Sequence, residues 1–512
     1  MLRELKISLL NDLGDFQTPL ELAEVIAARL AGNGSTWGRV LEPTCGEGTF
    51  LRALAPRVSD LCQMQGIELQ PHYVERARQA TSSNGVSIEI HQGSIFDFRL
   101  DKDLKWRSSE KLLVIGNPPW VTNSALGSLE SGNLPQKENL KGLSGFDALT
   151  GESNFDIAEY IWLKLIRELI EERPTIALLC KTSVARNVLA YAHANNWPVI
   201  ASSIHRINAK KWFNAAVDAA LFTVEIGDGA PNYECRVYAS LESQDPEAVM
   251  GFVAGRMVAD LEAYRLSAVA DGQCPFVWRQ GIKHDAASVM ELKKQGDTFT
   301  NKLGELVDVE TEFLYPLLKS SDLYKATKPE SRWFMIVPQE RVGQDTQRLQ
   351  IEAPKLWRYL CEHEEHFDKR KSSIYNNQPP FSVFGIGSYS FARYKVAIAG
   401  LTKTPIFWPL APVEGRPLVL DDTGYFLPCQ TEEQAQILSS ILNHPLCLAL
   451  LKSMTFTDSK RPITKKLLQR IDVMALLELT FKEPELSEAK VALAPLLAPT
   501  PLPRATQFSL SI

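Results

Sequence analysis

The stretch KLLVIGNPPW, Lys111 to Trp120, runs four large apolar residues together and then stops at a glycine, an asparagine, two prolines and an indole. A short unbroken apolar run is the mark of a strand covered on both faces, as strands of parallel sheets are. Proline has no N–H to give a ladder, so the strand must end as the prolines begin. Working outward, similar runs recur at RVLEP (39–43), CQMQGIEL (62–69), VSIEIHQGS (86–94), TIALLC (175–180), ASSIHRI (201–207) and AALFTVEI (219–226). Helical patterns separate the earlier ones: from about Thr49, over PHYVERARQA (71–80), and from about Phe155 to Glu171 with Ile157, Ile161, Leu165 and Leu169 on one face. This alternation predicts a doubly wound, Rossmann-like α/β domain with a mostly parallel sheet.

Such sheets bind ligands in the crevice beyond the carboxyl ends of their strands, so the residues after each run carry the functional information. The first is followed by EPTCGEGTFL (42–51), where Gly46 and Gly48 allow a tight turn and close backbone approach to a ligand before a helix. The second ends at Glu68, one strand-helix-strand step later, a spacing suited to an acid that grips ribose hydroxyls. The third ends in GSIFDF, with Asp97 as an acceptor for an adenine amino group, and the fourth is NPPW itself.

At 512 residues, the chain has room for two or three domains of the usual size, about 100–200 residues each. With 45% hydrophobic and 23% charged residues it falls in the ordinary globular range. No apolar run approaches the roughly 20 residues of a membrane span, and residues 1–16 lack the pattern of a secretory signal. A cytoplasmic protein without a membrane partner is therefore expected. The eight cysteines never form a C-x-x-C pair, and Cys361, His363 and His366 in CEHEEHF do not have zinc-motif spacing, so no metal is expected. A net charge of −6 leaves room for a local basic groove.

Taken together, these motifs resemble the S-adenosylmethionine-dependent amino-methyltransferases of DNA, most closely the gamma class that modifies adenine N6 in restriction-modification systems. FQTP (16–19), with Thr18 and Pro19, is similar to the segment that closes over the methionine part of the cofactor. LEPTCGEGTFL, with Glu42, Pro43, Cys45, Gly46 and Gly48, resembles the family's glycine loop; Glu68 matches its ribose acid and Asp97 its adenine contact. NPPW resembles the catalytic D/N-P-P-Y/F/W motif, here Asn117, Pro118, Pro119 and Trp120. SNFDIAEYIWLKL (153–165) and FNAAVDAALFTVE (213–225) look like later motifs, with Phe213 where the family often sets an aromatic against the flipped base. The likeness covers residues ~15–228 by motif spacing.

It implies S-adenosylmethionine as cofactor, double-stranded DNA with a flipped adenine as substrate, and a possible cognate restriction endonuclease as partner. The lone pair of adenine N6 is spread into the ring; Asn117 Oδ1 and the Pro118 carbonyl are expected to accept its two hydrogens and localise it. The paired prolines hold those acceptors in place and Trp120 offers a stacking face. Cys45 lies in the glycine loop, not in a Pro-Cys loop, which speaks against attack on cytosine C5. Three alternatives stay open at this stage: N4-cytosine as target, a protein glutamine-amide methyltransferase, and a DNA-recognition subunit with little catalysis.

The expected domains are 1–228 for catalysis, a connecting segment 229–273, a mixed α+β target-recognition domain 274–490, and a flexible proline-rich tail 491–512. The thirty or so residues after Trp120 are expected to lie over the substrate entrance. In SYSFARYKVAI (388–398), alternation places Tyr389, Phe391, Arg393 and Lys395 on one strand face suited to sugar-phosphate, and Lys460 and Arg461 belong to a basic cluster with Lys465, Lys466 and Arg470; Lys369, Arg370 and Lys371 form another.

Overall fold

The structure is a computed structural model that describes residues 17–32, 37–82, 85–120, 156–324, 329–456 and 458–497. Phe16, the segment expected over the substrate entrance and the last fifteen residues lie outside these ranges. The chain divides into two compact units, Met1–Leu261 and Glu262–Ile512.

The first unit is built on a ten-stranded sheet. Its strands are β1 (Arg39–Glu42), β2 (Gln63–Glu68), β3 (Ser87–Gln92), β4 (Leu112–Gly116), β5 (Thr175–Lys181), β6 (Val199–Ile207), β7 (Ala219–Ile226), β8 (Cys235–Tyr238), β9 (Ala248–Val253) and β10 (Arg256–Val258), in the spatial order 10-9-8-6-7-5-4-1-2-3. β3, β2, β1, β4 and β5 run parallel, while β7 is antiparallel to both β5 and β6. Every residue of β4 is buried, which explains the apolar run that opens the sequence. Because β1 has β2 on one side and β4 on the other, the strand order reverses there and opens a crevice at the carboxyl edge.

Among the described residues of this unit the α-helices are α1 (Leu20–Ala31), α2 (Thr49–Leu54), α3 (Pro71–Thr81), α4 (Ile157–Leu169), α5 (Thr182–Ala194) and α6 (Ala209–Phe213). α3 begins with a proline, whose missing N–H costs nothing in a first turn. α4 begins where the Asp156 side chain accepts from the Ala158 N–H at 3.0 Å, and it buries Ile157, Ile161, Leu165 and Leu169 as the four-residue spacing requires. Each such side chain contributes roughly 1.5–3 kcal/mol on burial, so Leu165→Asp would break this packing.

Three expectations need correction. The segment 229–273 is not only a connector: β8 pairs with β6 and carries β9 and β10, so the sheet continues to Val258. Lys395 does not face solvent. Ser388–Phe391 is a 3-10 turn, and the strand Tyr394–Ala399 lies between Trp408–Leu410 and Gly424–Cys429 with both faces covered. Lys395 is 1% exposed, its ammonium donating to the Ala392 carbonyl and standing 5.7 Å from the Phe426 ring centre; burial pushes its pKa down to about 7. The tail is helical at its start, in Glu485–Leu497, where Leu493 is buried and the Ala492 carbonyl accepts from Gln434 Nε2 at 2.9 Å.

The second unit also contains a six-stranded, mostly antiparallel sheet, and helices complete its mixed α+β build. No single described helix is long and apolar enough to cross a membrane, and among the described residues no three His, Cys, Asp or Glu side chains gather as metal ligands.

Candidate active site

The turn after β1 is shaped by its glycines. Gly46 and Gly48 have φ of 51° and 71°, a left-handed conformation that other residues adopt at a cost. A Cβ on Gly46 would lie 2.5 Å from Gln17 Oε1, so the leading Gln17-Thr18-Pro19 segment rests directly on this loop, and the Pro19 carbonyl then starts α1 by accepting from Leu22 and Ala23. The Gly46 N–H donates to Glu68 Oε2 at 2.9 Å and the Gln70 N–H to Glu68 Oε1 at 2.8 Å. A carboxylate oxygen accepts from more than one donor.

Glu42, 2% exposed, accepts from the Leu51 N–H at 3.3 Å. Burial first, and the nearby Glu68 carboxylate second, raise its pKa well above the usual carboxylate range. The Cys45 side chain is buried against β2: a Cβ on Gly66 would meet its Sγ at 2.9 Å, and burial raises the thiol pKa. Its N–H is spent on the Ile67 carbonyl at 2.9 Å. Between Pro43 and Cys45, Thr44 Oγ1 is buried without a hydrogen-bond partner among the described residues.

Across the switch point stands the end of β4. A Cβ on Gly116 would lie 3.5 Å from Pro43 Cδ and 3.7 Å from Glu42 Cγ, which brings Asn117 beside the end of β1. Asn117 Oδ1 and Pro118 are buried. The Trp120 indole N–H donates to the Leu179 carbonyl at 3.4 Å, and its ring meets Phe213 edge-to-face with centres 5.1 Å apart. Phe213 ends α6, which follows β6, while Trp120 follows β4, so 93 positions of sequence close to one aromatic contact.

The parallel pairing of β4 with β5 also sets Lys181 on this edge, where it forms a 2.7 Å ion pair with Asp156. Burial raises the Asp156 pKa despite this lysine. In the first turn of α4, burial lifts Glu159 to about 7 although Asn187 Nδ2 donates to it at 2.8 Å.

The carboxyl edge thus brings together Glu42, Pro43, Gly46, Glu68 and Asn117, with Trp120 and Phe213 in contact, whereas Gly48 faces Ala77 and Thr81 of α3. Asp97 is placed differently. It is exposed, three residues past Ser94, and its N–H closes a turn on the Ser94 carbonyl at 2.9 Å; Ser94 directly follows Gly93, whose N–H donates to the Glu68 carbonyl at 2.9 Å. The Ser94 hydroxyl accepts from the Phe96 N–H at 3.3 Å, within the same turn. Of the basic candidates, Arg393 and Lys460 are exposed and Arg461 lies 3.5 Å from Asp422. Arg370 is spent internally, stacked 3.8 Å from the Tyr375 ring centre and donating to the Ser382 carbonyl at 2.7 Å. Sequence reading passed over Ser94, Asp156 and Lys181; for the last, only its place at the end of a predicted strand could have marked it.

A family model described as a methyltransferase domain matches residues 36–123, from the approach to β1 to just past Trp120. The type II methyltransferase M.NspV of Nostoc sp. (strain ATCC 29411 / PCC 7524) is 38% identical over 470 residues, which is 90% of this chain and 96% of that protein. Among solved structures, the type IIL restriction-modification enzyme MmeI in complex with DNA aligns with a TM-score of 0.49 at 11% identity, over 94% of this chain and 74% of its own. The type I restriction-modification methyltransferase subunit of Streptococcus thermophilus aligns with a TM-score of 0.33 at 17% identity, over 43% of this chain and 47% of its own. The extent and identity of the match to M.NspV show that the chain belongs to the type II methyltransferases.

Proposed function

We propose that this type II methyltransferase transfers a methyl group from S-adenosylmethionine to the exocyclic N6 of an adenine swung out of a specific DNA sequence, as a gamma-class enzyme paired with a cognate restriction endonuclease. One observation carries the reading: Asn117 and Pro118, the acceptor-bearing residues of N-P-P-W, leave β4 at the switch point beside Glu42 and Pro43.

The residues present fit the cofactor. Glu68 offers two carboxylate oxygens for ribose hydroxyls, the Gly46 turn admits close approach, and the buried Thr44 Oγ1 has hydrogen-bonding capacity to give. Thr18 and Pro19 close this end, Ser94 and Asp97 line the adenine side, and Glu42 faces the positively charged portion. The bound cofactor supplies an electrophilic methyl carried on a sulfonium.

Everything else falls to the chain. Asn117 Oδ1 and the Pro118 carbonyl accept the two N6 hydrogens and hold the nitrogen lone pair towards the methyl, so that no strong base is required. Pro119 keeps the turn from relaxing, which preserves both acceptors between turnovers. Trp120 stacks on the extruded base and Phe213 meets it at its edge, repaying part of the cost of unstacking. Residues 262–497 hold the duplex, with Arg393, Lys460 and Arg461 among the contacts.

Transfer of labelled methyl to DNA, followed by digestion to nucleosides, tests the reading. All label should appear in N6-methyl-2′-deoxyadenosine; label in a methylated deoxycytidine, or in a protein glutamine with none in DNA, would overturn it.

A further inference from the structure

The helix that ends in Phe213 has a second side. In α6 the residues Ala209 and Phe213 point inward and are buried, whereas Lys210 and Lys211 are exposed. The helix is held firmly for its length: Asn208 Oδ1 accepts from the Lys211 N–H at 2.9 Å, and the Asn214 N–H, at φ 52°, closes the other end on the Lys210 and Ala209 carbonyls. Trp212 packs against the core below, and its ring lies 4.2 Å from Lys211 Nζ.

Its place in the sheet is equally defined. Ile207, the last residue of β6, pairs with Ala219, which in turn pairs with Lys181 at the end of β5. α6 therefore starts at the same carboxyl edge as N-P-P-W, and Phe213 touches Trp120. Two other cations of this edge are already engaged, Lys181 with Asp156 and Arg206 with Glu247. Among the described residues Lys210 and Lys211 make no ion pair. The exposed Glu242 feels Lys211 through space without bonding to it.

We propose that Lys210 and Lys211 grip the sugar-phosphate backbone of the DNA strand that bears the extruded nucleotide, so that one five-residue helix holds the base from its inner side and the phosphates from its outer side. The inference rests on the functional reading above. Two neighbouring unpaired ammonium groups beside a base pocket match a polyanion, and S-adenosylmethionine carries no phosphate for them to meet. A chain of net charge −6 repels DNA at long range, so cations placed at the pocket decide local affinity. Contacts to phosphate position a strand without reading its sequence, and this pair therefore acts on all DNA alike.

The test compares the full chain with K210A/K211A on a plasmid DNA that the unsubstituted protein methylates. Each phosphate neutralised contributes roughly 0.9 to the slope of log affinity against log salt. The double variant should show a slope shallower by roughly 1.8, a raised KM for DNA and a kcat changed by less than about twofold, with K210R/K211R restoring the slope. Unchanged salt slope and KM in K210A/K211A, while the unsubstituted protein transfers label normally, would overturn this inference and leave the functional reading intact. Failure of the unsubstituted protein to label any DNA would overturn both.

Discussion

The N-P-P-W edge of the first unit and the Tyr394–Ala399 strand of the second both drew attention as sequence, and they fare differently as structure. At the edge, Glu42, Gly46, Glu68 and Asn117 are drawn together from three strands. In the second unit Lys395, picked for its place in an alternating pattern, is inside the protein. The first inference used a property of topology, since parallel strands deliver their carboxyl ends to one crevice whatever the side chains are. The second used periodicity alone, and a period of two says which residues share a face without saying whether that face is wet.

The comparison can be broken from either side. Asn117→Ala should reduce single-turnover methyl transfer by roughly 10²–10³-fold, the scale seen when one preorganised hydrogen-bonding group is removed from an active site. DNA binding and melting temperature should hold steady, and a drop below tenfold would sever the motif from the chemistry. Phe213→Ala should weaken capture of the base by roughly 1–3 kcal/mol, read as a lower fluorescence gain from 2-aminopurine at the target position; full gain would remove the aromatic clamp.

Glu42→Gln separates binding from stability. A carboxyl whose folded pKa is raised adds stability below its unfolded pKa and loses it as pH climbs through the folded value, so removing its charge should steady the ligand-free protein at high pH. On the proposed reading the same change takes a carboxyl group away from the cofactor's positively charged portion, so cofactor affinity measured calorimetrically should fall. Unchanged affinity would take Glu42 out of the cofactor site.

Lys395→Met should leave methyl transfer and DNA binding unaltered, the smallest effect on function in the series. Its pH signature is the reverse of that of Glu42: with the folded pKa lowered to about 7, the unfolded chain binds the extra proton between about 7 and the ordinary lysine range. The unsubstituted protein should therefore gain melting temperature relative to Lys395→Met as pH rises from about 7 to about 10. A loss of DNA affinity in this variant would return Lys395 to the interface.

The core of the first unit was legible because its strands are short apolar runs closed by glycine and proline, and because α4 repeats its apolar residues every four positions. The strand β7 was visible as an element, yet its antiparallel insertion between β5 and β6 was not, since nothing local encodes a neighbour. β8 and β10 were missed because they are only four and three residues long, and β9, the apolar run AVMGFV, was passed over; pairing with β6 and with one another holds them. At the site, Asp97 drew attention as the nearest acid after β3, and the structure sets it exposed in a turn closed on the Ser94 carbonyl; charge is easier to see in a sequence than distance. Lys210 and Lys211 were unremarkable until pairing of β6 with β7 put their helix beside Trp120.

A crystal structure of the full chain with DNA and a non-reactive analogue of the cofactor tests the central claim most directly. The account predicts one adenine outside the duplex, its N6 within hydrogen-bond reach of both Asn117 Oδ1 and the Pro118 carbonyl, between Trp120 and Phe213. An adenine left stacked in the helix, or an N6 held by other groups while Asn117 turns away, would contradict it.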